Sequence, residues 1–140
     1  MQSEARRIQA TIADLAAVTT DAERIAAVAA STWREINEVL SPVIGPGGVA
    51  ALYQRALHLT RPAYPSLTVM REDPLRPGDF AALRAALAQQ SAEQVAAANG
   101  ALLQAFCDLL ANLIGISLTE RLLRSVRELP AADSKRAVYP

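Results

Sequence analysis

The chain has 140 residues, with 14 basic and 14 acidic side chains, and is long enough for one domain with a sizeable core. The balanced charge gives no electrostatic case for nucleic acid or an anionic membrane, so we expect neither as a partner. A single cysteine, Cys107, excludes an intramolecular disulfide and favours a reducing compartment. The first ten residues lack the apolar core of a signal peptide, and we expect a cytoplasmic protein.

Two long helices are predicted before Ser41, because this stretch contains neither Gly nor Pro. Ile8, Ile12 and Leu15 mark one apolar stripe on the first of them. An exposed stripe of this kind is costly in water, so we interpret it as the surface of a homodimer.

The second helix is expected to start at a capping box formed by Thr20 and Glu23. Its apolar positions repeat every three or four residues as far as Leu40, which predicts one buried face. Ser41 followed by Pro42 reads as the start of a further helix, with Ser as the cap and Pro in the first turn.

A glycine-rich turn, "GPGG", precedes the next helix, which carries the only histidine, His58, near its end. The turn lacks the Lys-Ser/Thr ending of a phosphate-binding loop, so we interpret it as a helix junction. Residues 60–78 hold four of the eight prolines and show no helical periodicity. This Pro-rich loop contains Arg and Tyr, which often anchor interfaces. We therefore predict a protein-binding surface at Arg61, Tyr64, Met70, Arg71 and Arg76.

Three more helices are predicted after the loop, with capping boxes at Ser91 with Gln94 and at Ser117 with Glu120. Gln104, Asp108 and Asn112 recur every four residues on the middle one, and we favour a solvent-facing position for this polar stripe. Residues 1–129 are expected to form a single domain and residues 130–140 a disordered tail.

The fold class that follows is all-α, an antiparallel bundle of five or six helices, because no stretch alternates as a strand does. The sequence contains one short internal similarity: "VIGPGGVAALYQ" and "LIGISLTERLLR" both place an Ile-Gly pair eight residues before a Leu. A short match of this kind also arises by chance, so duplication stays open.

Catalytic and metal chemistry find little support in the residues. Metal sites in bundles use Glu-x-x-His pairs, and the chain has none. Cys107 lies in the apolar stretch "QAFCDLL", which favours a buried, inert thiol. We expect no cofactor, no metal and no catalytic residue.

Two alternatives remain beside an interaction module. His58 is the one candidate for histidine phosphotransfer, although Arg61 is the sole nearby cation and the small and basic followers typical of such sites are missing. The other alternative is a small-molecule sensor. Its pocket inside the bundle would be lined by Trp33, Tyr53, Gln104, Phe106 and Asp108.

The stretches "WREINEVLSPVIGPGGVAALYQRALHLTRPAYP" and "LIGISLTERLLRSV" resemble small all-helical bacterial proteins whose genes lie beside sensor kinases and other two-component genes. The resemblance covers about residues 33–126 and implies a signalling context without supplying an active site. The abundance of Ala and Arg is typical of a GC-rich bacterial genome. We therefore expect a non-catalytic interaction or regulatory module in bacterial signal transduction, working with a protein partner and as a homodimer.

Overall fold

The computed structural model describes residues 3–18, 21–65 and 80–126, and every long regular element among them is an α-helix. The helices pack around a shared apolar core, which confirms the predicted all-α bundle. Most of the Pro-rich loop and the predicted tail lie outside the described residues, as do Met70, Arg71 and Arg76. The helices are α1 (Ser3–Val18), α2 (Ala22–Ile44), α3 (Pro46–Thr60), α4 (Ala81–Ala88), α5 (Ala92–Ile114) and α6 (Ile116–Leu123).

Polar caps fix the starts of the two longest helices. The Asp21 carboxylate accepts a hydrogen bond from the Arg24 amide at 3.2 Å, so the cap of α2 lies one residue beyond the predicted Thr20. Ser91 caps α5 and forms the predicted capping box with Gln94.

Two predicted helix starts are wrong. The α2 helix continues through Ser41 and Pro42 to Ile44, because a proline in the last turn removes only one hydrogen bond of the helix. The box at Ser117 is also absent: α6 already begins at Ile116, directly after Gly115.

A glycine lies at each of two helix junctions, between α2 and α3 and between α5 and α6. Gly45 and Gly115 have φ of 84° and 95° with ψ of 151° and 153°, a region that other residues rarely adopt. Their amides donate to Ser41 and Ala111, in each case at 2.8 Å. The same backbone geometry therefore ends α2 and α5 and starts α3 and α6.

The matching glycines belong to an internal repeat with an offset of 70 residues. Asp21 and Ser91 cap the two long helices at equivalent positions, and both helices have 23 residues. Side chains at ten equivalent positions are buried in both halves, which are residues 21–56 and 91–126, although α3 runs to Thr60 while α6 ends at Leu123, the equivalent of Tyr53. The buried pairs are Ile25 with Val95, Val28 with Ala98, Ala29 with Asn99, Thr32 with Leu102, Trp33 with Leu103, Ile36 with Phe106, Leu40 with Leu110, Val49 with Thr119, Tyr53 with Leu123 and Ala56 with Val126.

The leading helix of each half packs on the long helix of the other half. The α4 helix lies against α2, where Arg84 approaches Glu23 at 3.9 Å. The α1 helix lies against α5, where Gln9 donates to Gln104 at 3.0 Å. These contacts join the two halves into one bundle. The line of contact between α1 and α5 is called the α1–α5 seam, and that between α2 and α4 the α2–α4 seam.

Replacing Gly45 by Ala tests the proposed role of the junction. We expect the free energy of unfolding to fall by about 1–3 kcal/mol, because a Cβ strains this backbone conformation. No atom lies within 4 Å of the position that the Cβ would take, so crowding adds nothing. Gly47→Ala is the matched control, since Gly47 has open space and no positive φ. Chemical denaturation in which both variants unfold alike would contradict this account.

Candidate functional site

The aromatic residues proposed as pocket walls pack directly on one another. Trp33 meets Tyr53 and Phe106 edge to face, with ring centroids 5.1 Å and 5.0 Å apart, and Phe80 adds a fourth ring. Trp33, Tyr53 and Phe106 are each at most 1% exposed. The expectation of a ligand pocket between them is wrong, because their own rings fill the space.

A buried hydrogen bond joins this cluster across the two halves. The Trp33 indole Nε1 donates to Asn99 Oδ1 at 2.8 Å, and both side chains are buried. A buried indole N–H requires an acceptor. Asn99 is therefore a polar residue on the buried face of α5, where most side chains are apolar.

Replacing Asn99 by Leu removes the acceptor and leaves the buried Trp33 N–H without a partner. We expect the free energy of unfolding to fall by about 1–3 kcal/mol. Asn112→Leu is the matched control on the same helix, because Asn112 is exposed. Urea unfolding curves in which the two variants are equally stable would refute the role of this bond.

Cys107 is the one cysteine and is fully buried. Burial raises the pKa of its thiol to about 12, and the charges of Asp108 and Glu120 raise it further in the same direction. The structure therefore confirms the predicted burial of the thiol, and the raised pKa favours its neutral form.

The raised pKa of Cys107 predicts both reactivity and pH dependence. A thiol reagent at pH 8 is expected to modify Cys107 only as fast as the protein unfolds and exposes the thiol. The neutral thiol contributes its full stability below the ordinary pKa of 9.0, and this contribution is lost as pH rises towards about 12. Rapid modification without denaturant, measured against the guanidinium-unfolded protein, would disprove the burial argument.

The stripe interpreted as a dimer surface is part of the chain's own core. Ile8, Ile12 and Leu15 are 4%, 1% and 9% exposed and belong to the main apolar cluster. That prediction is wrong because α1 lies against α5, α2 and α6, which cover the stripe. Homodimerisation stays a prediction without an assigned surface.

Polar contacts hold the first turns of α1 in place. Arg7 donates to the carbonyl oxygens of Leu123 and Val126 at 3.3 Å and 3.1 Å, where a cation satisfies the end of α6. The Glu4 amide donates to Glu120 at 3.1 Å, and the Glu4 carboxylate pairs with Arg7 at 2.6 Å. These contacts fix α1 relative to α6 and therefore relative to α5.

The loop side of α3 carries the other predicted residues. His58 is exposed in the last turn of α3, so its ring is accessible, and phosphotransfer stays an untested alternative. Arg61 and Tyr64 are half-buried in the turn that follows. Among the described residues, no three His, Cys, Asp or Glu side chains gather where they could hold a metal ion.

A groove of about 440 Å³ runs along the seam between α1 and α5. Tyr64 borders it, and Gln9 and Gln104 form its polar part. Small side chains make up the remainder of its surface, so backbone lies close to the space within it. They are Ala10, Ala13, Ala96, Ala97, Gly100 and Ala101.

The polar side chains of the groove already form hydrogen bonds within the protein. Gln104 accepts from Gln9 at 3.0 Å and donates to Asp108 at 2.9 Å. A Cβ on Gly100 would lie 3.4 Å from Gln9 Oε1, so glycine allows the two helices to approach closely here. Asp108 and Asn112 are exposed and Gln104 is half-buried, which confirms the solvent-facing interpretation of the stripe.

Of the predicted residues, the structure brings Tyr64 and Gln104 to one site and leaves the aromatic cluster apart from it. The alanines and Gly100 were not identified from the sequence, because small residues on a helix are compatible with close packing and with open space alike.

The α5 helix has the length and mean hydropathy, 1.3, of a membrane-spanning segment. The core helix of a soluble bundle has the same composition, and the buried face of α5 packs on the other helices.

Comparison of the chain with known protein families, curated proteins and solved structures found no match.

Proposed function

We propose that the protein is a non-catalytic interaction module whose binding surface is the groove between α1 and α5. The observation that carries the proposal is the open groove lined by small side chains, with Tyr64 along its border. Small residues allow a partner's backbone or side chains to approach closely, and a half-buried Tyr offers a rigid contact with a polar tip.

The composition of the groove favours a protein partner. Its surface is mostly methyl groups, and its polar side chains already bond to one another, so few polar groups are available to orient a small polar ligand. Arg61, half-buried three residues before Tyr64, extends the binding surface towards the Pro-rich loop. Met70, Arg71 and Arg76, which the sequence also predicts for the binding surface, lie outside the described residues.

The setting that we propose is signal transduction in the bacterial cytoplasm. This part of the proposal rests on the resemblance of residues 33–126 to proteins encoded beside sensor kinases. An adaptor or regulator in such a system needs a specific surface and no reactive group, which agrees with the inert thiol of Cys107.

A photo-crosslinking amino acid placed in the groove tests the proposal in the cells that make the protein. Ala97 is exposed and lines the groove, and we expect the crosslinking amino acid at this position to capture a protein partner. Ala51, exposed on α3 and outside the groove, is the matched control. The Ala13→Arg substitution fills the groove and should reduce crosslinking at least tenfold, or about 1.4 kcal/mol.

Thermal melting of each variant shows whether the fold is retained. Equal crosslinking from both positions, or crosslinking from position 97 that is unaffected by Ala13→Arg in a folded protein, would remove the groove as the binding surface.

A further inference from the structure

The face of α1 opposite its buried stripe carries alanines between two opposite charges. Ala10, Ala13 and Ala17 follow one another at spacings of three and four residues, and all three are exposed. Arg6 and Asp14 are exposed on the same face. Among the described residues, neither of these two side chains forms an ion pair. This face of the helix therefore presents a cation and an anion that are both available to a partner.

The two charges are placed symmetrically about Ala10, with four residues on each side. If two copies of α1 cross antiparallel at Ala10, Arg6 of each copy lies opposite Asp14 of the other. The arrangement has two-fold symmetry, which is the commonest symmetry of protein oligomers. Alanine at the crossing point allows the two helix axes to approach closely, because no long side chain separates them.

The α5 helix adds a second carboxylate at one end of the groove. The groove extends from the Gln9–Gln104 pair forward along α1 and backward along α5, so the two helices run antiparallel. Glu93 is exposed one turn before Ala97 on α5, and it therefore lies at the same end as Asp14. A cation at this end of the groove meets two carboxylates.

We infer that the groove binds the α1 helix of a second copy of this protein, in an antiparallel pair with its two-fold axis at Ala10. The inference rests on the proposed function and names the partner. Arg6 of one copy then lies at the end of the groove that carries Asp14 and Glu93 of the other copy. A parallel pair in the same register would instead place Arg6 against Arg6, so the charges specify the antiparallel orientation.

This pair gives the homodimer expected from the sequence a surface on the opposite side of α1 from the buried stripe. The α1 helix has 16 residues and is therefore about 24 Å long. Alanine side chains bury little area, so the interface belongs to the small class, below about 1,200 Å². Interfaces of that size are typical of reversible association, and we expect a dimer that dissociates on dilution.

Single cysteines test the position of the axis in the full-length protein. Ala10→Cys should form a disulfide-linked dimer under mild oxidation, because the two copies of position 10 face each other. Ala17→Cys is the matched control on the same face of α1, since an antiparallel pair places the two copies of position 17 about 21 Å apart along the helices. Cys107 is fully buried and should form no link. Equal yields of dimer from the two variants would contradict an axis at Ala10.

A charge exchange tests the register, with sedimentation equilibrium as the measurement. Arg6→Glu alone or Asp14→Arg alone places like charges opposite each other, and each should weaken the dimer about tenfold or more. The combination of both substitutions restores opposite charges and should recover most of the affinity, although Glu93 remains. Arg34→Glu, which reverses an exposed charge on α2, should leave the dimer unchanged.

Thermal melting shows whether each variant keeps the fold. A wild-type protein that stays monomeric at every concentration would overturn the inference. The same holds if the folded double variant dimerises no better than the two single variants.

The two proposals fail separately. Capture of a second copy from position 97 in cells supports both. An adduct with a different protein, together with a purified protein that is monomeric, would leave the interaction function standing and remove the second copy as the partner. A dimer of the purified protein without any adduct from position 97 in cells would remove the interaction function as proposed.

Discussion

The bundle depends on the contact between its two long helices, where the Trp33 indole donates to Asn99 inside a mostly apolar core. The buried N–H can be satisfied by few arrangements, so it specifies how α2 and α5 are placed against each other. Trp33 also packs against the rings of Tyr53 on α3 and Phe106 on α5, and the contact with Tyr53 positions α3. Each leading helix then packs on the long helix of the other half.

The helix that precedes each long helix contributes a different set of side chains to the core. In one half Phe80 and Leu83 complete the core, and burial of such side chains contributes most of the stability of a small domain. In the other half Ile8, Ile12 and Leu15 of α1 supply the buried stripe, and Ala10 and Ala13 lie on another face of the helix and line the groove. The α1 helix therefore holds its place with one face and keeps a groove on another.

Helix identity and fold class followed from the sequence because periodicity, caps and glycines act locally. Ser91 and Gln94 form the predicted box, since both partners lie within one turn. Ser41 and Pro42 gave a wrong helix start, because a local cap signal competes with the packing of the long α2 helix.

The candidate site was less accessible from the sequence. An apolar stripe such as Ile8 to Leu15 shows that a face is covered, but it does not show whether the chain itself or a partner covers it. The aromatic residues were recognised as a group, yet whether they enclose space depends on Phe80, which is 47 residues from Trp33 in the sequence. Tyr64 was identified by residue type alone, and only the fold brings it to the α1–α5 seam.

The most direct measurement is an NMR titration of the protein, labelled at its alanine methyl groups, with the protein partner that is captured by crosslinking from position 97. If the groove is the binding surface, the methyl signals of Ala13, Ala96 and Ala101 shift on addition, while those of Ala26 and Ala30, which are buried, stay in place. Unchanged groove signals with shifts elsewhere would contradict the account.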